Sequence, residues 1–317
     1  MKTLLKYSSA LLFQLLCAYA FSQDIPVTVQ KLTDGVIQMP SQTGASGGSA
    51  YVAYRKGNNL AGAPTVQVLG AHTLLANNKL GIGLNAFLEQ INFVRNASFN
   101  LVMAYHLPIN SHLNLSFGLN TEYHHLSLNT SQLNGAVDMQ DPLIDDFKPR
   151  SKIDFSPGLA LNHNKYFVGF TINRLRNLID SRNNNSPIRT FYTTFLGYRY
   201  LLNNNDLLEP LIIIRYDPNQ KAFQNDYQLF YTYNQAVMAG LTYRGSDVFA
   251  MSLGFIFSKR FVIGYSYQFV TSGANSVYHT NTHELSLRFN FNKQYYNQPM
   301  FLPDRRPISN VTKEKLN

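Results

Sequence analysis

Large apolar side chains recur at every second position along most of this chain. In RFVIGYSYQFVT, residues 260–271, Phe261, Ile263, Tyr265, Tyr267 and Phe269 alternate with Val262, Gly264, Ser266 and Gln268. A period of two is that of a β-strand, whose successive side chains point to opposite faces. VFAMSLGFIF repeats it, with Phe249, Met251, Leu253, Phe255 and Phe257 against Ala250, Ser252, Gly254 and Ile256. HLNLSFGLN sets Leu113, Leu115, Phe117 and Leu119 against Asn114, Ser116 and Gly118, and HELSLRFNF sets Leu285, Leu287, Phe289 and Phe291 against Glu284, Ser286, Arg288 and Asn290. One face is bulky and apolar, the other small or polar. A sandwich core has to be filled from both sheets, whereas lipid asks only that the outer face be apolar.

Extended over the chain, the alternation predicts about fourteen strands, at 48–55, 64–75, 78–92, 97–109, 112–128, 152–163, 165–176, 188–202, 205–217, 222–234, 236–245, 248–259, 261–271 and 281–292. Helical periodicity is scarcely visible. The connections alternate in length. Short joins such as ANN, NNN and KRF stand between long ones such as KGNNLAGA, NTSQLNGAVDMQDPLIDDFKPRS, LIDSRNNNSPI and SGANSVYHT. Every odd-numbered connection is expected to be at least as long as its neighbours. Tight turns at one end and larger loops at the other characterise an up-and-down barrel in the outer membrane. The fold expected is therefore all-β, a transmembrane up-and-down antiparallel β-barrel over 48–292. Inward glycines (Gly83, Gly118, Gly169, Gly254, Gly264) leave room for close packing or curvature, and Tyr198, Tyr200, Tyr265 and Tyr267 are expected in the interfacial aromatic girdles.

The N-terminus supports export. Lys2 and Lys6 precede an apolar run near 10–20 and a small-residue pair, Ala18 and Ala20, which reads as a signal peptide over 1–23. The run is shorter than the roughly 20 residues needed to span a bilayer. The one cysteine, Cys17, falls inside this signal, so disulfide and thiolate chemistry are excluded from the mature chain. Residues 24–47 read as a periplasmic lead-in and 293–317 as a periplasmic C-terminal tail, which puts both termini in the periplasm. The net charge is +9, two of it from the signal lysines, but the basic residues are scattered through strand ends and loops without the clustered stripe of a nucleic-acid binder.

No constellation points to catalysis. There is no Gly-x-Ser-x-Gly elbow, and Gly81-x-Gly83 lies in a strand with no helix after it. His72, His106, His112, His124, His125, His163, His279 and His283 are read as polar positions near the barrel rim. The adjacent His124 and His125 face opposite ways and cannot share a metal. Asp138, Asp141, Asp145 and Asp146 lack the spacing of a calcium loop and read as a solvated external loop. No cofactor, metal or catalytic residue is assigned, and the chain is not expected to be an enzyme.

The order of motifs resembles the PorP/SprF family of type IX secretion outer-membrane proteins. The resemblance rests on Gly62, Ala63 and Pro64; His72, Leu74 and Leu75; Asn78, Lys79, Gly81, Gly83 and Leu84; and Ala104, Tyr105, His106 and Pro108. QDPLIDD (140–146), KYFVGFTINRLRN (165–177), FVIGYSYQFVT and THELSLRFNF follow in the family's order, covering about residues 48–292. Two departures stand out. Where the family has Asn-Pro-Ala-Tyr-x-Gly, this chain reads MPSQTGASGG (39–48), and it continues well past Phe291, the aromatic residue that would close the last strand. The resemblance implies a component of the type IX secretion system, in contact with outer-membrane lipid, with secretion components including periplasmic lipoproteins, and with a secreted cargo protein. It implies support for export or surface attachment of proteins such as adhesins, with a link to gliding motility. In the tail, Phe301 and Leu302 as apolar anchors and Arg305 and Arg306 as charged ones form a candidate docking segment. The rivals are a transport channel of the fatty-acid-transporter type and an outer-membrane barrel hydrolase.

Overall fold

The computed structural model describes residues 38–58, 63–75, 79–110, 112–129, 149–176, 190–202, 205–245, 248–271 and 281–291. The expected signal 1–23, most of the acidic loop, and the tail with Phe301, Leu302, Arg305 and Arg306 lie outside these residues.

The described chain is almost wholly strand: β1 (Gly48–Gly57), β2 (Thr65–Leu75), β3 (Leu80–Ile91), β4 (Val94–Pro108), β5 (Leu113–Leu128), β6 (Arg150–His163), β7 (Tyr166–Asn173), β8 (Phe191–Tyr198), β9 (Tyr200–Leu201), β10 (Leu207–Asp217), β11 (Ala222–Tyr233), β12 (Val237–Arg244), β13 (Val248–Phe257), β14 (Phe261–Val270) and β15 (Thr282–Asn290). Each pairs antiparallel with its sequence neighbour. β8 and β9 both pair with β10, Gly197 opposite Leu211 and Tyr200 opposite Leu208, and so form one stave broken at Arg199. The strand expected at 188–202 is thus present but interrupted. β15 returns to β1, with Ser49 opposite Asn290 and Gly57 opposite Thr282, and the fourteen staves close. Closure removes the free edges that an open sheet would expose.

The two faces are those expected from the alternation. Along β13, Phe249, Met251, Leu253, Phe255 and Phe257 are exposed on the outside, and Val248, Ala250, Ser252, Gly254 and Ile256 are buried inside. Arg215, Asp226, Arg244, Glu284 and Arg288 all point inward. Such a wall is stable only where lipid covers the outer band.

Curvature depends on pairs of glycine and aromatic residues across neighbouring strands. Tyr51 lies over Gly70, Phe195 over Gly169, Phe167 over Gly197 and Phe230 over Gly240, each pair directly opposed in the ladder. The ring covers backbone that the glycine leaves bare, and a β-carbon there has no space.

Turn chemistry explains the tight end. Asn234 and Gln235 have φ of 46° and 52°, and Ala236 N–H donates to the Tyr233 carbonyl at 3.0 Å. Ser258 and Lys259, at 51° and 57°, are closed in the same way by Arg260 N–H and the Phe257 carbonyl at 3.0 Å. Two successive positive φ values make the two-residue turn whose twist matches a hairpin. At the other end the long connections fall at 58–64, 129–149, 174–190 and 271–281. Two connections depart from the expected alternation: 218–221, between β10 and β11, is one residue shorter than 202–206 before it, and the join of β3 to β4 is shorter still. β3 and β4 extend to Ile91 and Val94, leaving only Asn92 (φ 54°) and Phe93 between them on the long-loop side. Cross-strand pairing from Leu80–Tyr105 to Ile91–Val94 continues to the very tip and shortens the join.

The larger finding concerns the end of the lead-in. Its last ten residues, 38–47, lie inside the wall, packed against β4, β5 and β6 near the short-turn end.

Candidate functional site: the inner segment and the lumen

The inner segment is a run of tight turns. Pro40 opens a 3-10 turn over Pro40–Gln42, and its fixed φ suits a first helical position where no N–H is needed. Gln42 N–H donates to the Met39 carbonyl at 2.8 Å, Ala45 N–H to Gln42 at 3.0 Å and Gly47 N–H to Gly44 at 2.8 Å. Gly44 (φ 78°), Gly47 (100°) and Gly48 (112°) supply left-handed backbone as the chain swings into β1.

The wall receives this segment on a bed of glycines. A β-carbon on Gly81 would run into the Thr43 carbonyl, and one on Gly118 would stand 2.6 Å from Ser41 Cα. One on Gly83 would be 3.2 Å from Thr43 Cγ2, and one on Gly158 3.1 Å from Pro40 Cγ. The inward glycines therefore do more than bend the sheet: they let a second backbone lie against it.

Side chains from distant strands then fix the segment's register. Gln42 donates to Asn162 Oδ1 at 2.7 Å, and Asn162 donates to Ser116 Oγ at 3.0 Å. His106 donates from Nε2 to the Thr43 carbonyl at 2.8 Å, its Nδ1 lying 2.8 Å from Ser116 Oγ. Gly44 N–H donates to His72 Nδ1 at 3.0 Å, so that nitrogen is the unprotonated one. Met39 packs with Ala160, Phe195 and Ile213 in a small apolar cluster. His72 and His106, read from the sequence as rim positions, are buried clamps on the inner segment.

Toward the long loops the lumen is charged. Asp226, on β11, receives Arg215 from β10 at 3.0 Å and Arg244 from β12 at 3.2 Å. Arg215 also donates to Gln38 at 2.6 Å, and Arg244 to Gln268 at 3.2 Å. Across the barrel Arg174 grips both oxygens of Glu122 at 3.3 Å, while Asp154 accepts Arg176 N–H at 2.8 Å and ties the start of the 174–190 connection to the wall.

Of the other sequence candidates, His124 points inward and is buried, while His125 faces outward and lies 2.8 Å from Ser151 Oγ. Among the described residues no three His, Cys, Asp or Glu side chains are grouped to hold a metal ion. Asp138, Asp141, Asp145 and Asp146 lie outside the described residues, as does the docking set in the tail. The sequence reading missed the inner segment. The available signal was a pair of inward glycines two residues apart, Gly81 and Gly83, in a strand otherwise rich in large residues.

These features define a class of protein: an outer-membrane up-and-down β-barrel whose lumen holds a segment of its own chain. The family model for the type IX secretion system membrane protein PorP/SprF matches residues 23–289, and the chain belongs to that family. No curated protein gives a match. Among solved structures, the CymD monoaromatic hydrocarbon channel is similar at 12% identity and a TM-score of 0.49, over 86% of this chain and 95% of the channel. The Acinetobacter baumannii outer membrane protein Omp33 is similar at 8% and 0.47, over 77% and 98%. The Pseudomonas putida toluene transporter TodX is similar at 9% and 0.44, over 86% and 93%.

Proposed function

We propose that this barrel serves type IX secretion as a membrane-embedded holder of protein partners, supporting export or surface attachment of secreted proteins such as adhesins. Gliding motility is its linked output in hosts that glide. Its role is binding rather than catalysis. The observation that carries this reading is the inner segment: a barrel that lays its own backbone across the short-turn end of its lumen is poorly suited to steady solute passage. Membership of a secretion family supports it further. The signal at 1–23 sends the chain out, both termini lie in the periplasm, and the tail there meets periplasmic lipoproteins of the machine through Phe301, Leu302, Arg305 and Arg306.

Deleting the gene and comparing secreted and surface-attached proteins with the parent strain tests this. A defined set of exported proteins should be lost and restored by the intact gene. An unchanged secretome, with impaired uptake of an apolar solute, would replace this reading with the channel.

A further inference from the structure

We propose that residues 38–47 form a hinged strap, and that its withdrawal from the glycine bed opens a hydrated path at the short-turn end of the lumen. Three independent features of the fold support this.

The first is the hinge. Gly47 and Gly48, both at positive φ, join the strap to β1, where a bend can swing about backbone free of β-carbons. The second is the latch. The strap's fastenings include hydrogen bonds to His72, His106, Asn162 and Arg215 and the apolar anchor Met39. Each of those wall groups is polar, and water can replace the strap on it. The third is the bed. Ser41 Oγ and Thr43 Oγ1 on the strap, and Thr171 Oγ1 beside Gly158 on the wall, are buried with no hydrogen-bond partner in the protein. Withdrawal lets water satisfy all three, which lowers the free energy of the open state relative to the closed one. A permanent plug packed by the same wall would bury apolar side chains at these positions.

Cysteine accessibility tests the proposal. Ser41 is 0% exposed and its hydroxyl has no partner, so Ser41→Cys removes no hydrogen bond. Cys17 is the only native cysteine and is replaced by serine in the background. The full chain, refolded in detergent and heat-modifiable, is treated with a charged, membrane-impermeant methanethiosulfonate reagent. Ser41→Cys should label while the barrel remains folded, and the labelled barrel, with its strap held out, should conduct steadily in a planar bilayer where the unlabelled one opens only briefly. Met39→Ala, which removes the apolar anchor, should raise the labelling rate about tenfold or more. Ser252→Cys, in the wall itself, should stay unlabelled. Labelling of Ser41→Cys only after unfolding, equal labelling of Ser252→Cys, or no change with Met39→Ala overturns the proposal. If Ser41→Cys does not fold, Thr43→Cys provides the same readout from the other partnerless hydroxyl.

Discussion

His106 on β4 donates its Nε2 hydrogen to the carbonyl of Thr43 at 2.8 Å, binding the wall to a segment 63 residues earlier in the chain. A carbonyl only accepts, so the imidazole tautomer is set by this contact. His106→Ala leaves that carbonyl and Ser116 without their shared partner inside the barrel. The expected loss is about 1–3 kcal/mol, read as a lower urea midpoint for the compact form on unheated gels.

The glycine bed makes a graded prediction. Gly118→Ala drives a methyl into the Ser41 backbone, whereas Gly158→Ala meets Thr171 Oγ1 at 3.0 Å and Pro40 Cγ at 3.1 Å. Overpacking of this kind costs about 1–3 kcal/mol, and the first substitution should cost more than the second. Equal midpoints for the two variants would contradict the position of the strap.

A different glycine tests a pair within the wall, whose ring also packs on Met39 of the strap. Phe195 lies over Gly169 on the neighbouring strand, where a β-carbon would overlap the ring. Gly169→Ala should lower stability, and adding Phe195→Leu should recover part of the loss. A double-mutant cycle should show coupling of about 0.5–3 kcal/mol between these neighbours.

The charged cluster predicts an asymmetry. Asp226 is 0% exposed and is the shared partner of Arg215 and Arg244. Asp226→Asn strands two cations in the lumen and should cost about 3–5 kcal/mol. Arg244→Met leaves the Arg215–Asp226 pair intact and should be milder. Thermal midpoints of the refolded barrels decide the order.

The outer face answers to lipid. Leu253 is 53% exposed on the outside of β13. Leu253→Arg should destabilise the barrel in bilayers by about 2–4 kcal/mol if it lies at the midplane. Ser252→Ala, one residue away but inside, loses the hydroxyl bond to Ser266 at 3.0 Å and should cost only about 1 kcal/mol. Urea titrations in liposomes compare the two.

The sequence by itself determined the faces, because the pleat assigns each side chain to one side or the other without reference to anything distant. Leu253 outside and Ser252 inside follow from alternation alone, as do Phe117 and Ser116, and so does a barrel of about fourteen staves with long loops gathered at one end. Strand limits were legible to within a few residues. The tight turn at Asn92 was not, because only the ladder of β3 with β4 sets where pairing stops. MPSQTG has no periodicity, and nothing local sends it into the lumen. Its place is decided by Gly81, Gly118 and Gly158, which belong to three different strands and form a bed only once the barrel curves. His72 and His106 read as polar positions near the rim, because only the strap puts a backbone N–H and a carbonyl within their reach. Asp226 likewise gains its two arginines from the strands on either side of it, and only their side-by-side register brings those charges together. Period-two patterning is a property of neighbours along the chain. Close approach of backbone to backbone, and of charge to charge, depends on curvature and register, which exist only in the closed sheet.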